Sequence, residues 1–154
     1  MVDFAQQLAV DLSCQKVVVA MELGNGTITE IVRHLEANLH PQAIYLFGSA
    51  ARDGLRQDSD VDVGVLTASA LTGSERYVLA GELADICHRD VDVIDLRATT
   101  TVLQAQVVTR GRLIAEEVPL ERALFEMRTL KAYAMLSEER KPITERMVRE
   151  GTLF

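Results

Sequence analysis

Residues 44–66 read IYLFGSAARDGLRQDSDVDVGVL, and the fold turns on how they are divided. Ile44, Tyr45, Leu46 and Phe47 form a short apolar run closed by Gly48, the pattern of a buried strand. Val61, Val63 and Val65 alternate with Asp60, Asp62 and Gly64. On a strand successive side chains point to opposite faces, so Asp60 and Asp62 share one face and the valines the other. Two carboxylates side by side repel unless positive charge lies between them. A divalent cation with oxygen ligands answers that need, and Mg2+ fits best.

Gly48-Ser49 supplies a second feature. Glycine permits a tight turn and close approach of backbone to a ligand. Ser49 suits the N-cap of a short helix starting near Ala50, whose free N–H groups would bind phosphate. Either motif alone is common in ordinary loops and edge strands. Here they occur in order, with ten residues between Ser49 and Asp60. A phosphate cradle beside a metal-binding carboxylate pair suits a nucleoside triphosphate, with two metal ions clamping an in-line displacement.

Working outward, the chain has 154 residues, enough for one domain with a real core. It is 48% hydrophobic and 25% charged, which excludes wholesale disorder. The net charge of −7 argues against broad binding to nucleic acid, which needs a basic surface. Cys14 and Cys87 are isolated, giving neither a disulfide framework nor zinc spacing. No membrane span or signal-peptide pattern is visible, so a reduced cytoplasm is the expected location. His34, His40 and His88 are scattered and read as surface or structural groups.

Residues 1–26 read as an N-terminal extension. Phe4, Leu8 and Leu12 are spaced for one helical face, and Gly24-Asn25-Gly26 is a break. Thr27 or Thr29 then caps a helix whose stripe is Ile28, Ile31, Val32, Leu35 and Leu39, stopped by Pro41. After the second strand, a helix from about Gly73 to Cys87 turns Val78, Leu79, Leu83 and Ile86 inward. Residues 89–96 read as a third strand carrying Asp90, Asp92 and Asp95. By themselves these aspartates suggest only an edge strand protected by charge. Thr99 to Arg110 is helical with Val102, Leu103, Gln106 and Val107 on one side, and residues 113–115 make a last short strand. A final helix begins near Leu120, with Leu120, Leu124, Met127 and Leu130 at helical spacing, and Pro142 breaks it. Its apolar residues serve as core cover first and as a partner surface second.

The spacing Gly48-Ser49, ten residues, Asp60-x-Asp62 resembles the signature of polymerase-β-like nucleotidyltransferases, and within them the minimal nucleotidyltransferase (MNT) group. Arg52 and the run from Arg56 to Asp60 fit that group too; Asp53 stands where many members have glycine. The resemblance extends from about Ile28 to Glu116. It implies an α/β fold with a small mixed twisted sheet of about four strands, helices on one side and a helical C-terminal arm. The expected organisation is residues 1–26 as extension, 27–118 as the nucleotidyltransferase domain and 119–154 as the arm.

The resemblance also implies Asp60, Asp62 and a third carboxylate as catalytic metal ligands. Asp92 is the best placed for the third position, with Asp90 and Asp95 as alternatives; on a regular strand Asp95 faces the other way. Gly48 and Ser49 would bind the outer phosphates of ATP, with Mg2+ as cofactor, in two ions. Arg52, Arg56 and Arg76 are weaker candidates for further positive charge. Stand-alone MNT proteins of this size resemble antitoxins paired with a helical HEPN-domain toxin, generally an RNase. That implies transfer of AMP to a toxin tyrosine within a hetero-oligomer. The alternatives are a catalytically silent antitoxin that masks its toxin, and a small-molecule nucleotidyltransferase.

Overall fold

The computed structural model describes residues 23–51 and 59–151. The expected helix on Phe4, Leu8 and Leu12, and the positions of Arg52, Asp53 and Arg56, lie outside them. The elements run α1 (Asn25–Leu39), β1 (Ala43–Phe47), a 3-10 turn (Gly48–Ala51), β2 (Val61–Leu66), α2 (Gly73–Cys87), β3 (Val91–Asp95), α3 (Thr101–Arg110), β4 (Arg112–Glu116) and α4 (Pro119–Arg149). The four strands form one mixed sheet in the order β3-β2-β1-β4. β1 runs antiparallel to both β2 and β4, whereas β2 and β3 are parallel. A parallel pair needs a crossover, and α2 provides it.

Strand alternation builds two cores. Ile44 and Leu46 of β1, Val61, Val63 and Val65 of β2 and Val93 of β3 meet Ile31 and Leu35 of α1 and Leu79 and Leu83 of α2. On the opposite face Ala43, Tyr45 and Phe47 meet Leu66, Leu96, Val107 of α3 and Phe125 of α4. Helices therefore cover both faces. α1 and α2 form one side; α3 and α4 close the other over β1. Gly64 lies opposite Tyr45 on that second face. A Cβ there would stand 3.1 Å from Leu96 Cδ2, so the glycine makes room for the leucine to lie across β2.

Several helix details differ from the sequence expectation. α1 starts two residues before Thr27, with Gly24 at its N-cap in the left-handed region (φ 76°) and no side-chain cap. Thr29 instead donates its hydroxyl back to the Asn25 carbonyl at 2.9 Å. In α2 the buried stripe is Leu79, Leu83 and Cys87, and Val78, one position off that row, is exposed. α2 begins on a capping box: Thr72 Oγ1 accepts from the Glu75 amide at 3.1 Å, and the Thr72 amide donates to Glu75 at 2.7 Å. The exposed Glu75 carboxyl is held below its usual range, first by the Thr72 amide and then by the Thr72 side chain. In α3 the inward residues are Ala105 and Val107, while Val102 faces solvent.

α4 departs most. Its 31 residues give a rod of about 46 Å. Phe125 and Thr129 are its buried residues; Leu120, Met127 and Leu130 are exposed. Near its start a polar knot ties it to the sheet. The buried Tyr45 hydroxyl donates to Glu126 at 2.7 Å, Arg122 pairs with Glu126 at 2.8 Å, and Arg122 also pairs with Glu116 of β4. Burial, then the Glu126 carboxylate, pushes the Tyr45 hydroxyl well above its ordinary range. The helix runs on through Pro142. Proline there removes one intrahelical N–H and crowds the preceding turn. Residues 137–151 are all exposed, so water can satisfy the freed carbonyl and no neighbour is displaced.

Candidate active site

The site lies where β1 ends and β2 begins. β1 delivers Gly48, which turns sharply at φ 63° into the 3-10 segment Gly48–Ala51. An L side chain rarely adopts that angle. Space requires glycine too: a Cβ at Gly48 would overlap the Asp62 Oδ2 atom. Ser49 follows, exposed, and Ala50 drops into the α1–α2 core to anchor the turn. The expected helix after Ser49 is described only as far as this 3-10 turn.

β2 and β3 bring the carboxylates. Asp62 stands opposite Phe47 on one side and Asp92 on the other. All three side chains take the α3–α4 face of the sheet, by alternation with the core residues Leu46, Val63 and Val93. Asp60 and Asp92 are exposed and Asp62 is half-buried. Burial, then the charges of Asp92 and Asp60, raises the Asp62 carboxyl above its usual range. None of the described ion pairs engages Asp60, Asp62 or Asp92. Among the described residues the niche is thus anionic.

The other aspartates of β3 go elsewhere. Asp95 is buried on the α2 face, accepting from the Leu71 amide at 2.8 Å and the Arg97 amide at 2.9 Å. Those bonds fasten the loops flanking α2 and β3. Asp90 is exposed just before β3, and its carbonyl accepts from the Val61 amide at 2.9 Å. Arg76 projects from α2 into a cavity that Asp92 also lines.

The donor set near Gly48 is made of hard carboxylate oxygens, which suit Mg2+. Gly48 leaves open the space at Asp62 Oδ2 that a Cβ would fill. Among the described residues no three acidic, histidine or cysteine side chains converge into a ready-made metal cage. Mg2+ tolerates this, because it keeps several waters and is commonly shared between one or two carboxylates and substrate phosphates. Among the described residues no helix is long and apolar enough to cross a membrane.

A small mixed sheet with a glycine turn at the end of one strand and aspartates on the next two is the palm of a nucleotidyltransferase. Residues 29–119 match the family described as polymerase beta, nucleotidyltransferase, and the chain belongs to that family. It is 38% identical over 117 residues to the protein adenylyltransferase MntA of Shewanella oneidensis, a match covering 75% of this chain and 84% of that protein. A crystal structure of a toxin–antitoxin with AMP-PNP is similar at a TM-score of 0.73 and 36% identity, covering 79% of this chain and 98% of that one. A structure of tri-AMPylated Shewanella oneidensis HEPN toxin in complex with MNT antitoxin is similar at a TM-score of 0.68 and 35% identity, covering 79% of this chain and 96% of that one.

Proposed function

We propose that this protein transfers AMP from ATP to a tyrosine hydroxyl of a cognate HEPN RNase toxin, neutralising it within a hetero-oligomer. The observation that carries this reading is the state of Asp62. It is half-buried between two other carboxylates, with Gly48 cleared away from its Oδ2 atom. Such a niche is unfavourable empty of cations and favourable once a metal–triphosphate enters it. The similarity to an adenylyltransferase and to antitoxins held with HEPN toxin supports the choice of donor and acceptor.

Asp60 and Asp62 would hold Mg2+ in two ions, and Asp92 would complete the position nearest the acceptor. Bound there, Mg2+ supplies charge neutralisation for the triphosphate and the departing pyrophosphate. Gly48 and Ser49 take the outer phosphates through backbone and hydroxyl groups. The tyrosine oxygen forms a bond to the α-phosphorus as the bond to pyrophosphate breaks. Its proton passes to Asp92 or water, and pyrophosphate leaves. The protein's contribution is mainly positioning and electrostatics. Residues 27–118 carry this chemistry, and the arm from residue 119 onward serves the partner.

Incubation with labelled ATP, Mg2+ and the cognate toxin tests the proposal: the toxin becomes labelled on tyrosine. Absence of label with every nucleotide, in Mg2+ or Mn2+, removes the enzyme. A silent antitoxin that only masks its toxin would then stand, drawing on the exposed outer half of α4.

A further inference from the structure

β3 is an outer strand of the described sheet. Its register with β2 decides which of its amides are spent. Val61 donates to the Asp90 carbonyl at 2.9 Å, and Leu96 donates to the Val65 carbonyl at 3.0 Å. In a parallel ladder the bonded residues of one strand alternate. Asp90, Asp92, Ile94 and Leu96 therefore turn their amide groups to β2. Those of Val91 and Val93 point to the outer edge, where no described strand meets them.

A cavity of about 850 Å3 runs between this edge and α2, lined by Val91, Asp92, Val93, Arg76, Tyr77 and Gly81 among others. A Cβ at Gly81 would meet nothing within 4 Å, so the helix wall is flat there. Tyr77 stands at the rim, 82% exposed. Asp92 belongs both to this groove and to the carboxylate niche, because it is the register partner of Asp62.

An open strand edge beside a groove suits an extended peptide: main-chain bonds hold it and alternate side chains select it. The charge of the groove chooses the peptide. Asp85, Asp90 and Asp92 line it, Glu82 is engaged by His34 at 2.7 Å, and Arg76 is the cation among its described lining residues. A residue paired directly beside Asp92 would turn its side chain to the same face as Asp92.

We propose that the outer edge of β3 and the facing wall of α2 dock an extended, basic segment of the acceptor protein. The segment adds as a strand beside Val91 and Val93 and presents its hydroxyl to Asp92. This rests on the transfer reading above, which requires an acceptor hydroxyl there; the groove supplies its direction of approach.

The test uses the full chain with the cognate HEPN toxin. Gly81→Phe fills the groove, and Asp85→Lys reverses charge at its rim. The acceptor KM rises by about tenfold in Gly81→Phe and severalfold in Asp85→Lys, while the ATP–Mg2+ shift in melting temperature stays at the wild-type value. Toxin binding slows hydrogen exchange at the Val91 and Val93 amides. Unchanged acceptor KM in both variants overturns the proposal. So does slow exchange at those two amides in the free chain, which would mean that a segment of this chain already covers the edge. Wild-type protein that binds toxin but never labels it would sink the transfer reading alone, and the exchange pattern would still decide the groove.

Discussion

Asp62 and Asp92 are register partners on two parallel strands, so two carboxylates that lie thirty residues apart in sequence share one face at one end of the sheet. Their mutual repulsion is part of why the Asp62 carboxyl is raised. That repulsion disfavours having both carboxylates charged at once.

Asp60→Asn and Asp62→Asn are therefore expected to abolish AMP transfer while leaving the fold intact. Labelling of the toxin and circular dichroism read the two effects. Strong unfolding in both variants would mean that these aspartates hold the structure together instead.

The same relationship predicts a pH dependence. A carboxyl raised in the folded state binds its proton more tightly there than in the unfolded chain. Its stabilising protonation is complete below the ordinary carboxyl range, about pH 4, and is lost as pH rises through the raised value. In EDTA, Asp62→Asn should melt higher than wild type at neutral pH, and the gap should close below about pH 4. A constant gap across that range would show that burial and neighbouring charge do not act on Asp62 as described.

Gly48→Ala should be nearly inactive and less stable. The residue must hold φ 63°, and its new Cβ would collide with the Asp62 carboxylate. The backbone alone costs about 1–2 kcal/mol. Chemical denaturation and ATP-binding shifts measure the two parts; wild-type values of both would refute the close approach.

Asp92 and Asp95 should separate cleanly. Asp95→Ala leaves two amides, those of Leu71 and Arg97, without their acceptor in a buried position, and should cost about 3 kcal/mol. Asp92→Asn, at an exposed position, should change stability little and stop transfer. Urea unfolding beside the labelling assay gives both numbers for each variant. The reverse pattern would exchange their roles.

Deleting residues 141–154 should leave a folded protein that still binds ATP, because residues 141–151 touch none of the core. Ile143, Met147 and Val148 are nonetheless exposed on that stretch. Burying each against a partner is worth about 1.5–3 kcal/mol, so their loss should weaken co-purification with the toxin. Undiminished affinity would place the partner surface elsewhere on the molecule.

The sequence by itself determined the faces. A period of two put Asp60 and Asp62 together against Val61, Val63 and Val65, and the spacing from Gly48-Ser49 placed a turn beside them. The same logic set Asp95 apart from Asp92. What periodicity does not contain is which strand lies beside which, because pairing is made between distant segments. Only the tertiary structure put β3 parallel to β2 and brought Asp92 opposite Asp62. It also decided that a second core forms over Tyr45 and Phe47, which keeps the expected Val107 and takes Phe125, while Val102, Leu120 and Met127 stay exposed. An apolar stripe states that a helix has a face to bury and does not state against what. For α4 the sheet accepts the first turns, and the remainder continues past Pro142 as a helix that the described residues leave exposed.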